Sequence, residues 1–115
     1  MIPAVLSVKF FRSEAGTEPV RDWLRELPVE SRRAIGADIK TVQIGWPLGM
    51  PLVRKMEADL WEVRSNLADG IARVLFTVID AELVLLHGFV KKSGKTPENV
   101  LKTARQRLNK VQRQP

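Results

Sequence analysis

The strongest constraint on the fold is a run of three consecutive segments in which apolar and polar residues alternate. These segments are residues 60–64, 71–79 and 83–89. A period of two is typical of β-strands, and the connections Asp69-Gly70 and Asp80-Ala81-Glu82 have turn-forming composition. Because strands joined by short turns pair with their neighbours along the chain, the sequence predicts an antiparallel meander.

The rest of the chain predicts one further strand and three helices. Residues 5–11 mix β-branched and aromatic side chains, as strands do. Helices are predicted at 19–27, at 29–45, and from Thr96-Pro97-Glu98 onward with Thr96 as the N-cap, whereas residues 46–52 are a proline-rich packed loop. The order β-α-α-β-β-β-α predicts one α+β domain over residues 1–115. It has an N-terminal helical hairpin, a small antiparallel sheet with helices on one face, and a basic C-terminal helix.

Residue usage excludes several kinds of catalytic site. The chain has no cysteine and one histidine, which excludes disulfides, thiol nucleophiles, thiolate zinc sites and a ribonuclease mechanism with paired histidines. It has no apolar run long enough to span a membrane, and its start, Met1-Ile2-Pro3-Ala4, is unlike a signal peptide. We therefore expect a cytoplasmic location.

Positive charge is concentrated in the last quarter of the chain. Residues 1–90 hold 11 basic and 12 acidic side chains, a net charge of −1, while residues 91–115 hold 8 basic and 1 acidic, a net charge of +7. Such a block attracts nucleic-acid phosphates or an acidic protein partner. It is equally typical of a solvated basic helix, so charge alone leaves these three interpretations open.

Two arginines lie in the middle of the predicted meander. Arg64 and Arg73 each come from one strand, and Lys91-Lys92 follows the last strand directly. If one sheet face is open, these cations converge there, where a guanidinium can bind two phosphate oxygens at once. The alternative is a set of exposed salt bridges with Glu62 and Asp59. As an exposed residue, Arg73 should be replaceable by alanine without unfolding the domain.

Two residue types have both a chemical and a structural interpretation. His87 can serve as a general acid or base, or it can be a hydrogen-bonded structural residue of an apolar strand. The tryptophans can stack on bases, but Trp23 and Trp61 lie on apolar faces and are assigned to the core. Trp46 is left undecided.

Five sequence blocks stand in order between residues 60 and 108: Leu60-Trp61-Glu62-Val63-Arg64, Ala72-Arg73-Val74-Leu75-Phe76, Leu86-His87-Gly88-Phe89-Val90-Lys91-Lys92, Lys95-Thr96-Pro97 and Ala104-Arg105-Gln106-Arg107-Leu108. Together they resemble the phage-derived Gp49-like, or HigB-like, branch of the RelE/ParE toxin superfamily. The resemblance implies a RelE-like fold and the toxin of a type II toxin–antitoxin module. It also implies a ribosome-dependent endoribonuclease that cuts mRNA without a metal or other cofactor. The implied partners are a HigA-like helix-turn-helix antitoxin, which forms a hetero-oligomer with the toxin, and the ribosome with its mRNA.

The resemblance also implies roles for individual residues. Arg73 matches the strand arginine that holds the scissile phosphate, and Lys91 and Lys92 match the basic pair that ends the last strand. The implied catalytic set is Arg73, Lys91, Lys92 and His87, and the implied RNA-binding set is Arg64, Lys95 and Arg105, with no metal ligand. Several RelE-type enzymes use a tyrosine for proton transfer, and this chain has none. A non-catalytic, ParE-like inhibitor of DNA gyrase and a phage-derived basic RNA-binding protein therefore stay open as alternatives.

Overall fold

A computed structural model describes residues 5–113 as five strands and three helices. In chain order the elements are β1 Ser7–Phe10, α1 Pro19–Glu26, α2 Val29–Gly45, β2 Val53–Glu57, β3 Leu60–Leu67, β4 Gly70–Ile79, β5 Glu82–Lys91 and α3 Glu98–Arg113. Within these residues no helix is both long and apolar enough to cross a membrane. Residues 1–4, on which the expectation about a signal peptide rests, lie outside the described part.

The strands form one mixed sheet in the order β1-β5-β4-β3-β2. The meander β3-β4-β5 is confirmed, since each of these strands pairs antiparallel with the next. The prediction of a wholly antiparallel sheet is wrong, because β1 pairs with β5 in parallel, with Ser7 opposite Glu82. The connection from β1 to β5 is long and contains α1, α2 and the strands β2–β4. It therefore does not impose the antiparallel direction that a short turn between neighbouring strands imposes.

Strand β2 is an element that the sequence did not predict. It lies at the edge of the sheet and pairs antiparallel with β3, with Val53 opposite Val63. Its middle residues Arg54 and Lys55 are exposed, so it lacks the apolar alternation of a strand with a buried face. Its strand conformation comes from the ladder with β3, which the local sequence does not show.

Helices cover both faces of the sheet, not one as predicted. On one face, α1 and α2 pack against residues of β3–β5, forming a core that includes Ile35, Val42, Val74 and Phe76. On the other face, α3 packs against β4 and β5, forming a second core that includes Leu75, Leu86 and Ala104. The middle of the sheet therefore has no open face, and polar residues there are buried among apolar ones.

A β-bulge in β5 determines which residues face α3. Leu75 of β4 pairs with His87, but the next residue, Phe76, pairs with Leu85. The extra residue, Leu86, belongs to the core beneath α3, and His87 contacts Arg107 of α3. Since a bulge interrupts the alternation of side chains, both Leu86 and His87 face α3.

Trp46 belongs to the core. Its ring lies edge-on against Trp61 and Phe76, with centroids 4.9 and 5.6 Å away. All three rings belong to the core beneath α1 and α2. The core assignments of Trp23 and Trp61 are confirmed, and Trp46, undecided from the sequence, joins them.

We expect Gly88→Ala to destabilise the protein, because a methyl group at this position would overlap the indole ring of Trp23. Overpacking of this kind lowers the free energy of unfolding by about 1–3 kcal/mol. Gly36→Ala is the matched control, since Gly36 is exposed on α2 with no atom within 4 Å of the added carbon. We expect this control to raise stability by about 0.5–1 kcal/mol. Urea unfolding measures both, and equal stability of the two variants would contradict the packing of Trp23 on Gly88.

Candidate functional site

Four polar side chains form a cluster beneath the start of α3, here called the central polar cluster: Glu62, Arg64, Arg73 and Thr96. Arg64 Nε donates to Glu62 Oε1 at 3.0 Å, and Thr96 Oγ1 donates to the other carboxylate oxygen of Glu62. Arg73 Nη1 donates to Thr96 Oγ1 at 3.4 Å. Through its bonds to Glu62 of β3 and Arg73 of β4, Thr96 thus joins two strands of the sheet to the segment that precedes α3.

Register and pleat place the three charged members on the same face. Arg64 and Arg73 are directly opposed in the β3–β4 ladder, and Glu62 lies two residues before Arg64. Alternate residues of a strand share a face, so all three point toward the side that α3 covers. Convergence of the two arginines on one face is therefore confirmed, although the face itself is covered.

The expectation that Arg73 is exposed is wrong. Its exposed fraction is 1%, that of Glu62 is 0%, and that of Thr96 is 8%. The segment before α3 lies over this part of the sheet, which the local sequence of β4 could not show. Replacing Arg73 by alanine would leave a cavity and remove charge from the surroundings of a buried carboxylate, so this variant no longer separates function from folding.

Arg73 is incompletely paired. Among residues 5–113, its buried Nε atom has no hydrogen-bond partner. The only hydrogen bond from its side chain in this region goes to a neutral hydroxyl, while Glu62 forms its ion pair with Arg64. A buried guanidinium without a matched anion is costly, and an added anionic oxygen would be strongly stabilised beside it.

Three lysines lie at the same end of the sheet. Lys91 pairs with Ile71, two residues from Arg73, so it is on the same face, and its Nζ donates to the carbonyl oxygen of Lys95 at 2.9 Å. Lys92 and Lys95 are exposed on the segment between β5 and α3. Of the residues implied as functional, the fold brings Arg64, Arg73 and Lys91 onto one face and places Lys92 and Lys95 in the segment beside it.

His87 is held by α3. Arg107 Nη1 lies 3.1 Å from His87 Nδ1 and donates to the carbonyl oxygen of Leu86 at 2.8 Å. Burial lowers the pKa of His87 below its ordinary value of 6.5, and the nearby charge of Arg107 lowers it further. With Nδ1 accepting from Arg107, the neutral ring carries its proton on Nε2. This geometry favours the structural interpretation of His87.

Arg105 is engaged by acidic groups. Its guanidinium binds both carboxylate oxygens of Glu57 at 2.8 and 2.9 Å and also contacts Glu98 at 2.9 Å. These bonds link α3 to β2, and both carboxylates compete with RNA phosphate for the same donors. A role of Arg105 in RNA binding stays a prediction.

The sequence did not identify Glu62 or Thr96 as members of a site. Thr96 looked like an N-cap, but its hydroxyl bonds to Glu62 and Arg73, while Val100 and Leu101 donate their N–H groups to the carbonyl of Pro97. Glu62 looked like a surface partner for arginine. The signal that identifies them, burial of a polar side chain, exists only after α3 is placed on the sheet.

A surface depression of about 310 Å³ lies next to the cluster. It is lined by Asp38, Pro51, Leu52, Arg64, Asn66 and Ile71. In residues 5–113 no three metal-ligating side chains are grouped. The depression offers the cation of Arg64, the carboxylate of Asp38, an amide and an apolar surface beside the central polar cluster.

Comparison with models of protein families gives a match. Residues 22–109 match the model of a family described as "Phage derived protein Gp49-like". The matched range runs from α1 into α3 and includes the central polar cluster, His87 and the three lysines. No curated protein matches the chain.

The burial of His87, together with the nearby charge of Arg107, lowers its pKa and so predicts a pH dependence of stability. Well above pH 6.5 His87 is neutral in both folded and unfolded chains and adds no pH dependence. As the pH falls below 6.5, the unfolded chain binds the proton first, because the pKa in the folded state is lower. The free energy of unfolding should therefore fall with pH in this window.

We expect His87→Gln to abolish this part of the pH dependence, since glutamine does not titrate but can accept a hydrogen bond from Arg107. Urea unfolding of both proteins between about pH 7.5 and about pH 5.5, where histidine titrates, tests this. Parallel stability profiles for the two proteins would contradict it.

Proposed function

The chain belongs to the phage-derived Gp49-like family of RelE/HigB-like toxins, and from this we propose that it is the toxin of a type II toxin–antitoxin module that cuts mRNA on the ribosome. Membership supports a toxin with an antitoxin partner. The cutting of RNA and the dependence on the ribosome are proposals that rest on the site. Because ribosomes are the target, the proposed location is the cytoplasm.

One observation carries the proposal, the incompletely paired Arg73 at the base of a cationic face. Its Nε lacks a partner among residues 5–113, and it shares its face with Arg64 and Lys91. Guanidinium groups on rigid strands have donors in fixed positions, which suits the non-bridging oxygens of a phosphate. The alternative interpretation, a solvated basic helix, does not account for a buried arginine on β4 that lacks a full set of partners.

The depression beside Arg64 fits the same proposal. Its volume of about 310 Å³ lies at the lower end of the usual range for small-ligand pockets, about 300–1,000 Å³. Asn66 offers donors and acceptors to a base edge, and Ile71 an apolar surface. We assign it to a nucleotide next to the bound phosphate.

The proposed chemistry uses a nucleophile that RNA itself supplies. The ribose 2′-hydroxyl attacks the adjacent phosphorus, the bond to the 5′ oxygen of the next nucleotide breaks, and a 2′,3′-cyclic phosphate forms. The protein aligns the attack and stabilises the charge on the phosphate through Arg73, Arg64 and Lys91. His87 is neutral and its Nδ1 is bound by Arg107, so we assign the proton transfers to water and the ribosome and not to this residue.

The antitoxin is proposed to cover the exposed cations of this site. Lys92 and Lys95 are exposed, and acidic or amphipathic antitoxin segments would bind them and block access to Arg73. A complex whose interface lies wholly on the α1–α2 side would contradict this assignment.

We expect replacement of both Lys91 and Lys92 by alanine to reduce mRNA cleavage in cells at least about tenfold, because two cations leave the phosphate site. The matched control replaces Lys102 and Lys110, which are exposed on α3, and removes the same charge elsewhere. Mapping of mRNA 5′ ends shortly after induction measures cleavage. We expect cuts within translated frames for wild type and control.

Two results would reject the proposal. Equal losses in both double variants would mean that overall charge matters and this site does not. Growth arrest with intact mRNA would exclude cleavage and favour a non-catalytic inhibitor of the gyrase-binding kind.

A further inference from the structure

The segment Lys92–Pro97, here called the strap, connects β5 to α3 and lies over Arg73. Thr96 is its buried residue; Lys92, Ser93, Gly94 and Lys95 are exposed. The strap contributes no residue to either apolar core. Its attachment to the sheet is therefore polar.

Two cations of the proposed phosphate site are bound to oxygen atoms of the strap. Arg73 donates to the Thr96 hydroxyl at 3.4 Å, and Lys91 donates to the Lys95 carbonyl at 2.9 Å. The Thr96 hydroxyl in turn donates to Glu62, which fixes the strap in place. The strap oxygens thus occupy donors that a phosphate would use.

We propose that the strap is a self-inhibitory cover, and that a nucleic-acid phosphate reaches Arg73 only by displacing Thr96 and the Lys95 carbonyl. This inference rests on the proposed function, since it concerns regulation of the same site. Exchange of a neutral hydroxyl at 3.4 Å for an anionic oxygen strengthens the hydrogen bond of Arg73. The same exchange can supply a partner for the Nε atom.

Opening the strap breaks its hydrogen bonds to Glu62, Arg73 and Lys91, and the new bonds of the phosphate to Arg73 and Lys91 offset this cost. Displacement of the strap exposes Thr96 and Arg73, which water solvates well, and uncovers no apolar core residue of its own. Gly94 has a φ of +91°, a conformation that suits glycine and lets the chain turn sharply. Arg105, through Glu57, holds the beginning of α3 to β2, so the strap can open while α3 stays in place.

Two substitutions of one residue test the cover. Thr96→Val keeps the shape but removes the hydroxyl, whereas Thr96→Ser keeps the hydroxyl. The probe is a short, fluorescently labelled 2′-O-methyl oligoribonucleotide, which cannot be cut because its 2′ oxygen is blocked. Fluorescence anisotropy at low salt gives the Kd. We expect Thr96→Val to bind about tenfold tighter than wild type, the effect of one charge-assisted hydrogen bond, and Thr96→Ser to bind like wild type.

A second substitution asks whether the gain acts through Arg73. The double variant Arg73→Met, Thr96→Val should bind the oligoribonucleotide no tighter than the single variant Arg73→Met. A gain that persists without Arg73 overturns the proposal. So does a Kd for Thr96→Val no lower than that for Thr96→Ser, or no binding by either variant.

One glycine inserted between Ser93 and Gly94 provides a test if Thr96→Val does not fold. The insertion lies in the exposed part of the strap and lengthens it without changing the cluster. We expect the same gain in affinity and faster amide hydrogen exchange of residues 92–96. Unchanged affinity with faster exchange contradicts the cover.

The oligoribonucleotide assay tests the cover, and the mapping of mRNA ends tests the proposed cleavage, so either proposal can be rejected without the other. Tighter binding by Thr96→Val together with intact cellular mRNA would keep the cover and reject the cleavage. Cut mRNA together with unchanged binding by Thr96→Val would do the reverse.

Discussion

Burial of the β3–β4–β5 meander on both faces is the constraint on which the rest of this structure depends. β4 lies at the centre, with Val74 and Phe76 in one core and Leu75 in the other. Any polar residue in the middle of β4 is therefore removed from water. Its burial costs free energy unless a hydrogen-bonding partner is buried with it. Arg73 occupies that position, and Glu62 and the strap, through Thr96, form the polar surroundings that lower the cost of its burial.

This arrangement links stability to electrostatics in an unusual way for a small basic protein. The whole positive excess follows residue 90, whereas the buried arginine belongs to the nearly neutral part of the chain. Its only acidic neighbour in the cluster is already bound by Arg64. A buried ion pair with a third, underpaired charge contributes little to stability on its own. Under the proposed function, Arg73 provides a fixed, buried donor for an anionic oxygen.

The bulge at Leu86 and His87 determines on which face of the sheet His87 lies and which residue it contacts. Regular alternation would place His87 on the α1–α2 side, opposite Leu86. The extra residue turns it toward α3, where Arg107 binds its Nδ1 and the carbonyl of Leu86. His87, the residue that the sequence offered as an acid–base catalyst, is thereby bound to α3. Under the proposed function, in a chain without tyrosine, proton transfer is assigned to water and the ribosome.

Local sequence alone determined the meander, the two N-terminal helices and the start of the C-terminal helix, because their periodicity, prolines and turn residues act over a few neighbouring positions. It also predicted that Arg64, Arg73 and the pair Lys91-Lys92 converge on one face, where the strand ladders place Arg64, Arg73 and Lys91. It could not predict β2, whose exposed Arg54 and Lys55 carry no apolar pattern, nor the parallel pairing of β1. Only the tertiary structure decided that α3 covers the face of Arg73, that Thr96 and Glu62 join it, and that Lys95 binds Lys91. These features depend on contacts between segments that are distant in sequence. The desolvation of a charge is set by the segments that pack around it and cannot be read from the residue itself.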